Sequence, residues 1–181
     1  RVMGGKLNVA TLANTNGQEY GALGGVSNRI ELSGNAELGI TGSVTNNQPI
    51  LVASDDAAVN VATNASLNMK TGFASTNGRH ALNKRGAGTL TLSAASTLRC
   101  LNVERGTVDL FDGANADTVR FVSTGTKVYD SNSMGSYSTN SSTFVVPEKV
   151  SGNFWMDPRC DYKGKLLGKG SFYVYAAGPR N

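Results

Sequence analysis

The sequence predicts an all-β chain: a right-handed single-stranded parallel β-helix with three sheets and a coil of about 30 residues. Three observations lead there. Apolar and polar residues alternate in short runs, the runs recur at a common spacing, and the composition favours turns over helices. Of the 181 residues, 22 are Gly and 4 are Pro, and 17% are charged, against roughly 25% charged in an ordinary soluble domain. The 39% of hydrophobic residues, regularly spaced, argue for a packed core and against disorder.

In chain order the alternation appears as Leu7-Asn8-Val9, Ile30-Glu31-Leu32, Leu38-Gly39-Ile40, Val59-Asn60-Val61 and Leu67-Asn68-Met69. It continues as Leu90-Thr91-Leu92, Leu101-Asn102-Val103, Val108-Asp109-Leu110, Val119-Arg120-Phe121 and Phe172-Tyr173-Val174. A period of two marks a strand with one buried face. No stretch has capped 3.6-residue spacing, so essentially no α-helix is expected. One series starts at Ile30, Val59, Leu90, Val119 and Val150, in steps of 29, 31, 29 and 31. A second runs Leu38, Leu67, Leu98 and Val128; a looser third runs Leu23, Leu51, Leu82, Leu110, Phe144 and Phe172. Three interleaved series imply three strands per coil, with Leu90 stacked on Val59 inside one sheet. An antiparallel sandwich is the rival, supported by hairpin-type dipeptides at Asn16-Gly17 and Asn77-Gly78.

The chain reads as one domain over residues 1–181, a piece of a longer surface protein, since it opens on Arg1 and closes on Gly178-Pro179-Arg180-Asn181. Uncapped end coils lead to the expectation that it stacks end to end or continues into further coils. No run approaches the ~20 apolar residues of a membrane span. The net charge of +4 lies wholly in residues 149–181, where Lys149, Arg159, Lys163, Lys165, Lys169 and Arg180 face only Asp157 and Asp161. Such a region suits an acidic partner such as an anionic polysaccharide, or is a solvated basic surface. No recognition motif points to nucleic acid.

Residues 86–110 run Gly-Ala-Gly-Thr-Leu-Thr-Leu-Ser-Ala-Ala-Ser-Thr-Leu-Arg-Cys-Leu-Asn-Val-Glu-Arg-Gly-Thr-Val-Asp-Leu. This segment resembles the autotransporter-associated β-strand repeat, with its Gly-x-Gly-Thr-Leu-x-Leu opening and its closing Gly-Thr and apolar pair. It departs from that pattern where the repeat has a Gly-Gly turn and this chain has Leu98-Arg99-Cys100. Within residues 154–174, the run from Trp155 to Gly170 is similar to a segment of large surface proteins of gut-type Gram-negative bacteria. The resemblance implies a secreted or surface-displayed β-helix serving as a stalk or adhesin-like scaffold, and it transfers no catalytic residue.

Reactive groups are sparse. The one histidine, His80, and the two cysteines, Cys100 and Cys160, make no metal-ligand spacing, and no cofactor fingerprint is present: the Gly-x-Gly at 86–88 and at 168–170 lacks the rest of any nucleotide motif. No Gly-x-Ser-x-Gly elbow accompanies His80. Asp55 and Asp56 are adjacent and would face opposite ways in a strand. The best polar cluster is at the C-terminal end: Trp155, Asp157, Arg159, Asp161, Tyr162, Lys163, Tyr173 and Tyr175 form a candidate glycan-binding set. With two cysteines placed two coils apart, about 10 Å along the axis, a disulfide is out of reach, and two free thiols are expected.

Two functions follow. The first is a non-catalytic structural or display module of a secreted or surface protein of a Gram-negative bacterium, whose partners are other domains of its own polypeptide. The second is a carbohydrate-binding or polysaccharide-degrading β-helix using the residues around Trp155.

Overall fold

The computed structural model describes residues 1–10 and 28–176, with an isolated antiparallel pair, Tyr20–Gly21 and Gly24–Gly25, between them. Leu23, Asn16-Gly17 and Arg180 lie outside the described residues. The chain is a parallel β-solenoid of about 7 turns. Among the described residues the only helical piece is a 3-10 turn at Thr76–Gly78, and no helix is long and apolar enough to cross a membrane.

Three faces wind around one core. One is an eight-stranded sheet running from Lys6–Val9 through Glu37–Ile40, Ala58–Val61, Ala81–Arg85, Cys100–Val103, Thr118–Phe121 and Thr143–Val146 to Leu166–Gly168. The second has seven strands: Ser43–Asn46, Ser66–Met69, Thr89–Leu92, Thr107–Phe111, Lys127–Ser131, Ser151–Met156 and Ser171–Ala176. The third begins with Val2–Met3, Ile30–Ser33, Ile50–Val52 and Phe73–Ser75. It thins to single bridges at Ala74–Thr97 and Ser96–Ala116, and re-forms as Ser138–Asn140 paired with Cys160–Tyr162. Among the described residues every pairing except the Tyr20–Gly25 pair is parallel, which excludes the sandwich.

The coil is shorter than the sequence spacing suggested, roughly 22 residues in place of 30. Register partners on the eight-stranded face, Leu38, Val59, Lys84 and Val103, show it directly. Leu90 and Val59 are therefore not in one sheet: Leu90 pairs with Leu67 and Val108, and Val59 with Leu38 and Lys84. The cause is geometric. A step of 29 residues is one coil plus one face, since three similar faces divide a coil into segments of about seven. Ile30, Val59 and Leu90 lie on successive faces, all pointing inward and all apolar.

Inward columns stack by residue type. On the seven-stranded face one column is Val44, Leu67, Leu90, Val108, Val128 and Phe154, every member buried. Each coil alone leaves this column open to water, and stacking covers it. Toward the C-terminal end the core becomes aromatic. Phe144 packs edge-on to Phe121, stacks on Tyr162 with centroids 5.1 Å apart, and touches Phe154 and Phe172. Corners turn through left-handed backbone. Gly86 has φ +74°, and a Cβ there would run into the carbonyl oxygen of Val61, so the Gly-x-Gly at 86–88 turns a corner that another residue type would block.

Candidate functional site

The eight residues singled out at the C-terminal end divide into two groups on different faces. Trp155, Tyr173 and Tyr175 project outward from the seven-stranded sheet. Trp155 stacks between Tyr129 and Tyr175, with ring centroids 5.7 Å and 4.3 Å away and interplanar angles of 17° and 15°. The register dictates this: Tyr129, Trp155 and Tyr175 are ladder partners, so rings one strand apart lie face to face. Both flat faces of Trp155 are covered by neighbouring rings, and Tyr129 has one face covered by Trp155. Tyr173, half exposed, stands in the adjacent outward column.

The second group belongs to a corner and the third face. Asp157 and Arg159 close one turn on each other. Arg159 Nε and Nη2 each donate to a carboxylate oxygen of Asp157 at 2.9 Å, and the Arg159 amide donates to Oδ1. Asp157 is 5% exposed, and the pair holds the Arg159 guanidinium above its usual pKa. Asp161 and Lys163 pair at 3.0 Å on the exposed rim. The Tyr162 ring is part of the aromatic core, its hydroxyl 2.9 Å from the carbonyl oxygens of Ser142 and Lys165, and burial pushes its pKa to about 12. A cavity of about 370 Å³ is lined by Tyr137, Ser138, Thr139, Pro158, Arg159, Cys160 and Asp161.

Both cysteines are free and buried. They are not two coils apart in one column: Cys100 pairs with Ala81 on the eight-stranded face and Cys160 with Ser138 on the third. Neither belongs to the apolar core cluster. The Cys100 thiol lies 3.3 Å from Asn102 Oδ1, and the Cys160 thiol 3.2 Å from the Asp130 carbonyl. Burial pushes the Cys160 thiol up to about 11. His80 sits at a corner, its Nδ1 3.6 Å from Asp55. Asp55 also accepts from the Ala81 amide and pairs with Arg99 at 3.1 Å, which lowers its pKa. Asp56 is exposed on the same turn. Among the described residues no three His, Cys, Asp or Glu side chains converge as a metal-ligand set.

Two buried ionisable groups were not anticipated. Lys84 is fully buried in the inward column between Val59 and Val103. Its ammonium donates to the carbonyl oxygens of Gly86 (2.7 Å), Gly88 (2.7 Å) and Arg105 (2.8 Å). Loss of hydration brings its pKa down to about 8. Asp130, 1% exposed, points inward between Leu110 and Met156. Its carboxyl group faces the Asn140 amide and the Cys160 thiol, which favour the charged form without offsetting burial. Burial raises its pKa to about 6. Aligning Leu82-Asn83-Lys84 with Leu101-Asn102-Val103 would have exposed the lysine, and the alternation Val128-Tyr129-Asp130 the aspartate.

Compared with known proteins, the chain matches no family model, no curated protein and no solved structure.

Proposed function

We propose that this chain is a non-catalytic structural module that spaces or displays other parts of a secreted or cell-surface protein, in the manner of autotransporter-associated β-strand repeats. The observation that carries this reading is the use of the inward positions: column after column goes to packing, and the buried charged groups Lys84, Asp130 and Asp157 are engaged by backbone carbonyls, by the Asn140 amide and Cys160 thiol, and by Arg159. The outward columns of the seven-stranded sheet begin as Ser43, Ser66, Thr89 and Thr107 beside Thr45, Asn68 and Thr91, a flat hydroxyl- and amide-rich surface without reactive pairs. Gram-negative surface localisation rests on the resemblance of residues 86–110 and 154–174. At the C-terminal coil, Leu166 and Val174, the ladder partners of inward Phe144 and Phe154, are each more than half exposed, a core cross-section that a further coil would cover.

Incubation with plant and host polysaccharides tests this reading. No reducing or unsaturated ends should appear above blank. Release that is abolished by Asp157→Ala would replace it with the enzymatic alternative. The carbohydrate-binding alternative is favoured by the 370 Å³ corner cavity, with Arg159 and Asp161 in its wall and Tyr137 beside them. A glycan array probed with the wild type and Arg159→Ala separates the two: glycan capture lost in the variant supports binding at this cavity, and an array that is blank or unchanged in the variant supports the scaffold.

A further inference from the structure

The corner above Lys84 has a feature that packing does not account for. The carbonyls of Gly86 and Arg105 both point inward at the Lys84 ammonium, at 2.7 and 2.8 Å. No peptide bond among the described residues is cis. In a trans peptide the N–H lies opposite the C=O. The amides of Ala87 and Gly106 therefore point away from Lys84, toward the corner surface. Neither is a donor in the backbone ladder or to a side chain among the described residues. Both residues line a corner cavity of about 490 Å³, together with Glu104, Arg105, Ser123, Thr124, Gly125 and Thr126.

We propose that this cavity binds an oxyanion, the carboxylate or sulfate group of an acidic glycan. Three features of the corner favour negative charge. Two unpaired amides face the cavity, each from a peptide polarised by the cation behind it. The ammonium lies just beneath the floor, 2.7 Å from where a Cβ of Gly106 would sit, and protein rather than water separates it from the cavity. Arg105 is exposed on the rim and supplies a fork for a planar oxyanion. The opposing charge, Glu104, is held by Arg85 at 3.0 Å. Ser123 and Thr124 are exposed and offer hydroxyls to the rest of a sugar. The volume exceeds that of a bare ion, hence the choice of a glycan. Gly106, with φ +78°, is the one residue type that lets chain, ammonium and cavity meet there.

This inference does not rest on the scaffold reading, which survives its failure. The test is an amide-resonance titration of the whole chain at low ionic strength with two probes, sodium sulfate and trigalacturonate. Saturable downfield shifts of the Ala87 and Gly106 amides with either probe are expected, and the tighter probe identifies the kind of oxyanion. Arg105→Ala, on an exposed side chain, should weaken binding roughly tenfold, the loss of one charge-assisted hydrogen bond. Lys84→Met should weaken it by a similar factor if it folds; if it does not, Arg105→Ala still decides. Unmoved amides with both probes, or Arg105→Ala binding like the wild type, would overturn the proposal.

Discussion

Lys84 and Asp130 show what a single buried charge does in a stack of apolar columns. Lys84 takes a position that Val59 and Val103 hold in the coils on either side, so its aliphatic stem replaces a valine and its ammonium must find partners at the corner. The folded pKa of about 8 lies below that of a free lysine, so the unfolded chain holds the proton more tightly. Stability from this group is lowest below pH 8 and rises between about 8 and 10.5. The difference in unfolding free energy between wild type and Lys84→Met, taken from urea melts, should shift over that window by up to about 3 kcal/mol. Taking the difference removes the opposite trend from Cys160, whose raised thiol pKa favours the native state until the unfolded thiol ionises. At pH 7 Lys84→Met should be less stable by about 1–3 kcal/mol, because three carbonyls lose their donor. Asp130 has the reverse sign to Lys84. Its folded pKa, about 6, exceeds that of a free aspartate, so its stability is full below about pH 4 and lost as pH rises through 6. Asp130→Asn should stabilise the protein at pH 7 by about 1–3 kcal/mol and flatten its profile between pH 4 and 7. An unchanged profile in the variant would remove Asp130 as the cause.

At the scale of the element, strands are short and corners decide where each coil turns. Gly86 sits with φ +74° against the Val61 carbonyl. Gly86→Ala adds left-handed strain of about 1–2 kcal/mol before the collision with the neighbouring coil is counted. A loss of unfolding free energy smaller than that strain in urea melts would show that the corner can re-form another way. Core strands obey the usual cavity cost. Leu90→Ala, deep in the seven-stranded column, should cost about 2–5 kcal/mol. The outward ladder of Tyr129, Trp155 and Tyr175 adds stacking that the bare hydrogen-bond register lacks. Trp155→Ala removes both contacts and about 1–3 kcal/mol, and should loosen the terminal strand Ser171–Ala176 first, a change visible as faster amide exchange there.

For the whole molecule, stability is close to a sum over coils and their contacts with neighbours. Deleting residues 81–99 removes one complete turn, because Ala81 and Cys100 are register partners. Cys100–Val103 would then land on Ala58–Val61 with Val103 over Val59. This shortened chain should stay folded and melt cooperatively at a lower temperature. Deleting 30 residues from the same point would rotate the remainder by a face and should unfold it. Circular dichroism melts of the two deletions compare the two coil lengths directly. The cysteines give a second global check: thiol titration of the denatured, unreduced monomer should find both groups free, as Cys100 and Cys160 lie on different faces.

Much of this was legible in the amino acids themselves. Alternation of apolar and polar residues marks strands with one wet face whatever they pair with, so Leu67-Asn68-Met69 and Leu101-Asn102-Val103 were identifiable without coordinates. Low charge and abundant glycine pointed to a turn-rich stack, and the cysteines' free state was reached, though for the wrong geometric reason. What the tertiary structure alone decided is register. Three faces carry the same alternation, so a sequence period cannot distinguish one coil from one coil plus a face, and only the hydrogen-bonded ladder shows that Val59 meets Lys84 rather than Leu90. The same holds for chemistry. Side-chain type alone does not mark a charge as inward, and only the stacked ladder places Lys84 between Val59 and Val103 and Asp130 between Leu110 and Met156. Trp155 and Asp157, two residues apart in the chain, were separated by the turn that puts one on a sheet face and the other in a locked corner.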